Sequence, residues 1–271
     1  MKRDSIKKGR SINSFDLLPA LRTARIILLF PLALLRLFLV FIISLLTVIF
    51  GQIWLILFGF TRNLQSAVMQ SWGKSIIFVC GIKVHKNKKP GAGNFIIMPN
   101  HRSYTDIFLV AAYSPAGFVA KAELMNWPLL KTGARLTNSI FVSRTDIKSL
   151  ISTMHKIKSS VDKQIPVAIF PEGTTSKGPL TRPFKNGSFK IAADAKIPVI
   201  PMAIHYKDIK DSWIDNDTFV VHFLKQMSKP VTKVFICYGT PHYNSDYKIL
   251  QKTTREQIDQ MLTRMIKKVQ P

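Results

Sequence analysis

The sequence predicts an α/β fold, a mixed sheet flanked by helices, behind an N-terminal helical anchor that meets a membrane. Three observations predict it. Short runs rich in Val, Ile and Phe alternate with helical stretches, the pattern of a sheet covered by helices. Residues 37–60 carry no charged side chain, and those 24 residues span about 36 Å as a helix, more than the roughly 30 Å hydrocarbon core of a bilayer. Lys2, Arg3, Lys7, Lys8, Arg10, Arg22 and Arg25 lead into that run, where basic groups are drawn to anionic headgroups.

Taken in order, residues 1–70 form the basic N-terminus and anchor, and residues 71–271 the α/β domain. Pro31 with Arg36 and Gly51 with Gln52 are break points for a helix pair between about residues 17 and 60. Basic residues flank both ends of the apolar run, and the positive-inside rule would hold both ends on the cytoplasmic side. That favours a re-entrant or interfacial anchor over a single crossing. Residues 76–84, 95–98, 117–120, 139–142, 167–170 and 198–204 read as strands, with helices near 104–113, 146–164 and 187–195. Residues 218–224, which alternate with period two, and 231–238 read as two adjacent strands extending the same sheet. Ile258, Met261, Leu262, Met265, Ile266 and Val269 have the spacing of an amphipathic helix that docks on the core.

The chain has 271 residues, 47% of them hydrophobic, which excludes disorder as a whole-chain reading. Its 39 basic against 15 acidic side chains give a net charge of +24, which calls for a polyanionic surface. No nucleic-acid motif and no interleaving of aromatic and basic residues is present, so the expected surface is an anionic membrane, met from the cytoplasmic face. Cys80 and Cys237 lie far apart in apolar stretches and read as free thiols, suited to a reducing compartment.

Two constellations carry chemistry. In Asn100-His101-Arg102-Ser103-Tyr104-Thr105-Asp106, between a strand and a helix, residues five apart face different ways on a helix, so His101 must precede it. With Ser103 as N-cap, Asp106 falls at the third helical position and can reach back to hold one imidazole N–H. The other nitrogen is then free to take a proton from a hydroxyl. A plain capping box with an ordinary loop histidine fits the same spacing. The second constellation, Phe170-Pro171-Glu172-Gly173-Thr174-Thr175-Ser176, leaves another strand as a glycine-containing turn. His101, Asp106, Glu172 and His205 lack the paired spacing of a zinc site, so no metal is expected.

These stretches, in this order, resemble the glycerolipid acyltransferase family typified by 1-acylglycerol-3-phosphate acyltransferases. Phe118-Val119-Ala120-Lys121-Ala122-Glu123-Leu124 and Ile140-Phe141-Val142-Ser143-Arg144 are similar to the family's intervening block, and Ile197-Pro198-Val199-Ile200-Pro201 to its last. The resemblance implies that His101 is the general base on a lysolipid hydroxyl and that Asp106 orients it. The acyl donor it implies is an acyl-CoA or acyl-carrier-protein thioester, a co-substrate rather than a cofactor. It also implies acceptor binding by Arg144, Glu172, Gly173 and Thr174, with Lys121 counted among them. Members acting on lysophosphatidic acid often carry an acid before the arginine and a basic residue after the turn. Here those places hold Ser143 and Thr175, which leaves lyso-ornithine lipid and other lysophospholipids as alternative acceptors to 1-acyl-sn-glycerol-3-phosphate.

Overall fold

The computed structural model describes residues 14–87, 94–126, 128–143, 147–214 and 218–269. Among them lie β1 (Ile82–Lys86), β2 (Ile96–Pro99), β3 (Gly117–Lys121), β4 (Ile140–Val142), β5 (Val167–Ala168), β6 (Val199–Tyr206) and β7 (Thr232–Tyr238). They form one sheet in the order β1-β7-β6-β2-β5-β3-β4. Only the β6–β7 pair is antiparallel, so the sheet is mixed as the sequence predicts. The helices are α1 (Ser14–Phe58), α2 (Arg62–Val79), α3 (Asp106–Tyr113), α4 (Pro128–Thr137), α5 (Ile147–Asp162), α6 (Asn186–Asp194), α7 (Phe219–Met227) and α8 (Tyr247–Val269).

Helices cover both faces, and this is why the central strands read as unbroken apolar runs rather than as alternations. Ile97, Ile200, Met202 and Ile204 point to the face carrying α1, α2, α3 and α7. Their neighbours Ile96, Met98, Val199 and Ala203 point to the face carrying α5, α6 and α8. The predicted C-terminal helix docks there through Leu250, Ile258, Met261 and Leu262.

Three expectations are corrected. Residues 218–224 are not a strand but part of α7. His222, Phe223, Gln226 and Met227 are buried while Phe219, Val220, Val221 and Lys225 are exposed, a period of 3.6 that the alternation in Phe219–Val221–Phe223 mimics over five residues. The apolar stretch 76–84 is the end of α2 followed by β1. Cys80 caps the helix and Gly81, at φ +66°, turns the chain between them. The suggested boundary at residue 70 therefore falls inside α2, whose Met69, Ile76 and Ile77 belong to the buried core.

The helix pair is the third, because α1 runs unbroken for 45 residues. The residues read as break points are contacts instead. Arg36 donates to the carbonyls of Met227 (2.7 Å), Lys229 (2.6 Å) and Pro230 (3.1 Å) at the C-terminus of α7, where a cation suits the exposed carbonyls. Gly51 lies against Leu136 of α4, and Gln52 donates to the Thr132 carbonyl at 3.3 Å. Between them Trp72 of α2 donates to Ser44 Oγ at 2.9 Å. Most of the α1 surface is open, and it exposes Phe38, Phe41, Phe50, Ile53, Trp54 and Ile56. Its segment Leu28–Phe58 is long and apolar enough to cross a membrane.

The approach of α2 to α3 depends on Gly73, since a Cβ there would stand 2.6 Å from the Ala112 nitrogen and 2.8 Å from the Phe108 oxygen. Gly73→Ala gains about 1 kcal/mol of helix propensity. Overpacking against backbone costs about 1–3 kcal/mol. The expected net is destabilisation, larger still for Gly73→Leu, read as an earlier denaturant midpoint.

Candidate active site

Strands β2 and β5 are parallel neighbours, with Ile96 beside Val167 and Ile97 beside Ala168. The chain leaves β2 through α3 on one face of the sheet and leaves β5 towards α6 on the other. Adjacent strands whose connections pass to opposite faces leave a crevice at their carboxyl ends, and both constellations open into it. Asn100 fixes the exit of β2: fully buried, it donates to the Ile204 carbonyl at 3.0 Å and accepts from the Ile204 N–H at 2.7 Å.

His101 Nδ1 lies 2.8 Å from Asp106 Oδ2, so the predicted pair is formed. The local route to it differs from expectation. Asp106 is the first residue of α3 rather than its third, Thr105 stands at the N-cap, and Ser103 Oγ is buried with no hydrogen-bond partner. No capping box exists. Asp106 Oδ2 instead takes the N–H groups of Arg102 (2.6 Å) and Ser103 (2.9 Å), which curls the loop round the carboxylate and swings His101 over it. An ionised carboxylate can only accept, so Nδ1 carries the imidazole proton and Nε2 holds the lone pair. The ring stacks on Phe170 at 4.1 Å between centroids, and the histidine side chain keeps 18% exposure while Asp106 has none.

Glu172, expected to meet a substrate, is 2% exposed and turned inwards. One oxygen accepts the His101 N–H at 2.8 Å; the other accepts Ser176 Oγ at 3.1 Å and the Arg182 N–H at 2.8 Å. It clasps the histidine loop to its own turn, and the Ser176 N–H returns the bond to the His101 carbonyl at 3.0 Å. Gly173 sits in that turn at φ +74°, a conformation that costs a residue with a Cβ. Thr174 is half-buried beside it, and Thr175 is buried. Lys121 is exposed at the carboxyl end of β3, the strand next to β5. Arg144 lies outside the described residues, two positions beyond the end of β4.

Nothing in the sequence pattern marks Arg102 as a structural residue. It is 3% exposed and donates to the carbonyls of Ser176, Pro179 and Leu180 and to Ser176 Oγ (2.8 Å). Burial holds its pKa below the usual arginine value, and Glu172 and then Asp106 oppose that shift as nearby negative charges. Among the described residues no group of three or more His, Cys, Asp or Glu side chains could hold a metal ion.

Residues 81–205 match the Acyltransferase family model. That stretch is an acyltransferase-family domain. The matched stretch begins just after α2 and ends in β6, and it contains both loops. The 1-acyl-sn-glycerol-3-phosphate acyltransferase of Neisseria gonorrhoeae is 29% identical over 128 residues, covering 47% of this chain and 50% of that one. The lyso-ornithine lipid O-acyltransferase of Brucella abortus is 25% identical over 188 residues, covering 62% of this chain and 70% of that one. The chain thus spans about half the length of the first of these curated relatives. In fold, it is similar to the crystal structure of the 1-acyl-sn-glycerophosphate (LPA) acyltransferase PlsC from Thermotoga maritima. The TM-score is 0.72 at 22% identity, over 90% of this chain and 97% of that one.

Proposed function

We propose that this chain transfers a fatty acyl group from a thioester donor, acyl-CoA or acyl-carrier protein, to the free hydroxyl of a lysolipid. The observation that carries the reading is the His101–Asp106 pair, with Nδ1 committed to the carboxylate and Nε2 left as the base at the mouth of the crevice. Nε2 takes the proton of the acceptor hydroxyl as its oxygen attacks the thioester carbonyl. The tetrahedral intermediate collapses with cleavage of the C–S bond, and the imidazolium returns its proton to the departing thiolate. Asp106 holds the ring and stabilises its transient positive charge. Glu172 acts through the backbone of His101, while the Gly173–Thr174 turn, Lys121 and Arg144 address the acceptor head group.

The leading acceptor is 1-acyl-sn-glycerol-3-phosphate, giving phosphatidic acid in phospholipid biosynthesis. Lyso-ornithine lipid is the second reading, favoured by Thr175, a buried and uncharged residue at the place that calls for a cation when the head group is a phosphate. The exposed apolar side of α1 rests in the cytoplasmic leaflet, with its length lying along the membrane rather than through it. The three contacts at Arg36, Ser44 and Gln52 support that orientation, since they hold α1 against the domain.

The test offers purified protein in lipid a panel of lysolipids with labelled acyl-CoA and, separately, labelled acyl-carrier protein. The expected result is ester formation on one lysolipid class, strongest with 1-acyl-sn-glycerol-3-phosphate. A stronger signal with lyso-ornithine lipid selects the second reading, and no transfer from either donor removes both.

A further inference from the structure

The last residue of β6 contributes to the same carboxylate from a part of the chain to which none of the sequence motifs assigns chemistry. Tyr206 is 2% exposed and points to the α3 face of the sheet. Its hydroxyl donates to Asp106 Oδ1 at 2.6 Å, the oxygen that His101 does not use. Thr105 Oγ1 lies 2.6 Å from the same hydroxyl. The tyrosine proton is committed to Asp106, so Thr105 must be the donor in that second bond. The bonds therefore run in one direction, from Thr105 to Tyr206 to Asp106, and the carboxylate in turn accepts from His101. Burial first, and then the charge of Asp106, push the phenol well above its ordinary pKa, so it stays a donor across the working pH range.

We propose that Tyr206, held by Thr105, is a positioning residue that sets the basicity of His101 by sharing the charge of Asp106. The proposal rests on His101 being the base. A hydrogen bond to Oδ1 spreads the negative charge that the imidazole N–H feels at Oδ2. Without it the carboxylate stabilises the imidazolium more strongly, and the ring holds its proton to higher pH. Among the described residues, the charged and titratable groups near the pair and its partners include Glu172, Arg102 and Tyr104 on the two loops, His205 beside Tyr206 on β6, Asp211 after β6, and Asp259 on α8. None of them is altered by the substitutions used as tests.

The experiment is a titration of histidine-labelled full-length protein by NMR in lipid nanodiscs, with the His101 signal assigned by its loss in His101→Gln. In Tyr206→Phe the His101 midpoint is expected to rise by about half to one pH unit. The acidic limb of kcat/KM for acyl transfer is expected to move up by the same amount. Thr105→Val removes no side-chain cap of α3 and leaves Tyr206 in place; it should shift the midpoint in the same direction by less. An unmoved midpoint in a folded Tyr206→Phe protein overturns the proposal. If that variant does not fold, an unmoved midpoint in Thr105→Val does so instead. Absence of acyl transfer by the parent would count against the proposed function, while the midpoint still reports on Tyr206.

Discussion

His101→Ala is expected to lower acyl transfer by about 10²- to 10⁴-fold, the usual cost of losing a general base. The loss should fall on kcat, with KM for the acceptor little changed, because the ring is placed to meet the hydroxyl proton and not the head group. Steady-state rates against acceptor concentration in mixed micelles provide the check. Folding should survive, since the side chain reaches the surface and its chief packing partner is Phe170. Asp106 would then remain buried with Arg102, Ser103 and Tyr206 as donors. A variant as active as the parent would remove His101 from the mechanism.

Glu172→Ala is expected to do the reverse, acting on the fold as much as on the rate. It strips acceptors from the His101 and Arg182 N–H groups and from Ser176, and it removes the carboxylate that most offsets the buried Arg102 charge. Removing one partner of a buried ionic arrangement typically costs about 3–5 kcal/mol. Denaturant unfolding should show a loss of that order, with activity falling even where the protein remains folded, because the loop bearing His101 loses its tether. Unchanged stability together with a raised acceptor KM alone would instead mark Glu172 as a head-group contact.

The parts of the fold visible in the sequence were those governed by neighbours along the chain. The buried strands announced themselves as apolar runs, and the separation of His101 from Asp106 already demanded a loop histidine ahead of a helix. What stayed hidden was set by strands that meet only after folding. Tyr206 is 100 residues from Asp106 and Glu172 is 71 residues from His101, and each pairing follows from β2 lying between β6 and β5. Asn100 and Arg102 flank His101, yet nothing local says that a loop asparagine locks two strands or that an arginine beside the histidine turns inwards. The misreading of α7 has a different cause: over so few residues Phe-Val-Val-His-Phe-Leu satisfies both periods, and the decision belongs to the α1 surface on which Phe223 and Met227 come to rest.

The way α1 is fastened bears on which lysolipids can be served. A helix tethered by one end would let the domain nod and rise against the bilayer, whereas fastening at residues 36, 44 and 52, spread over about 24 Å, makes anchor and crevice a single lever with no joint. On the proposed seating, the depth at which Nε2 meets the leaflet becomes a constant of the protein. Acceptors would then be sorted by the level at which they carry their free hydroxyl, before any contact with the head group is made.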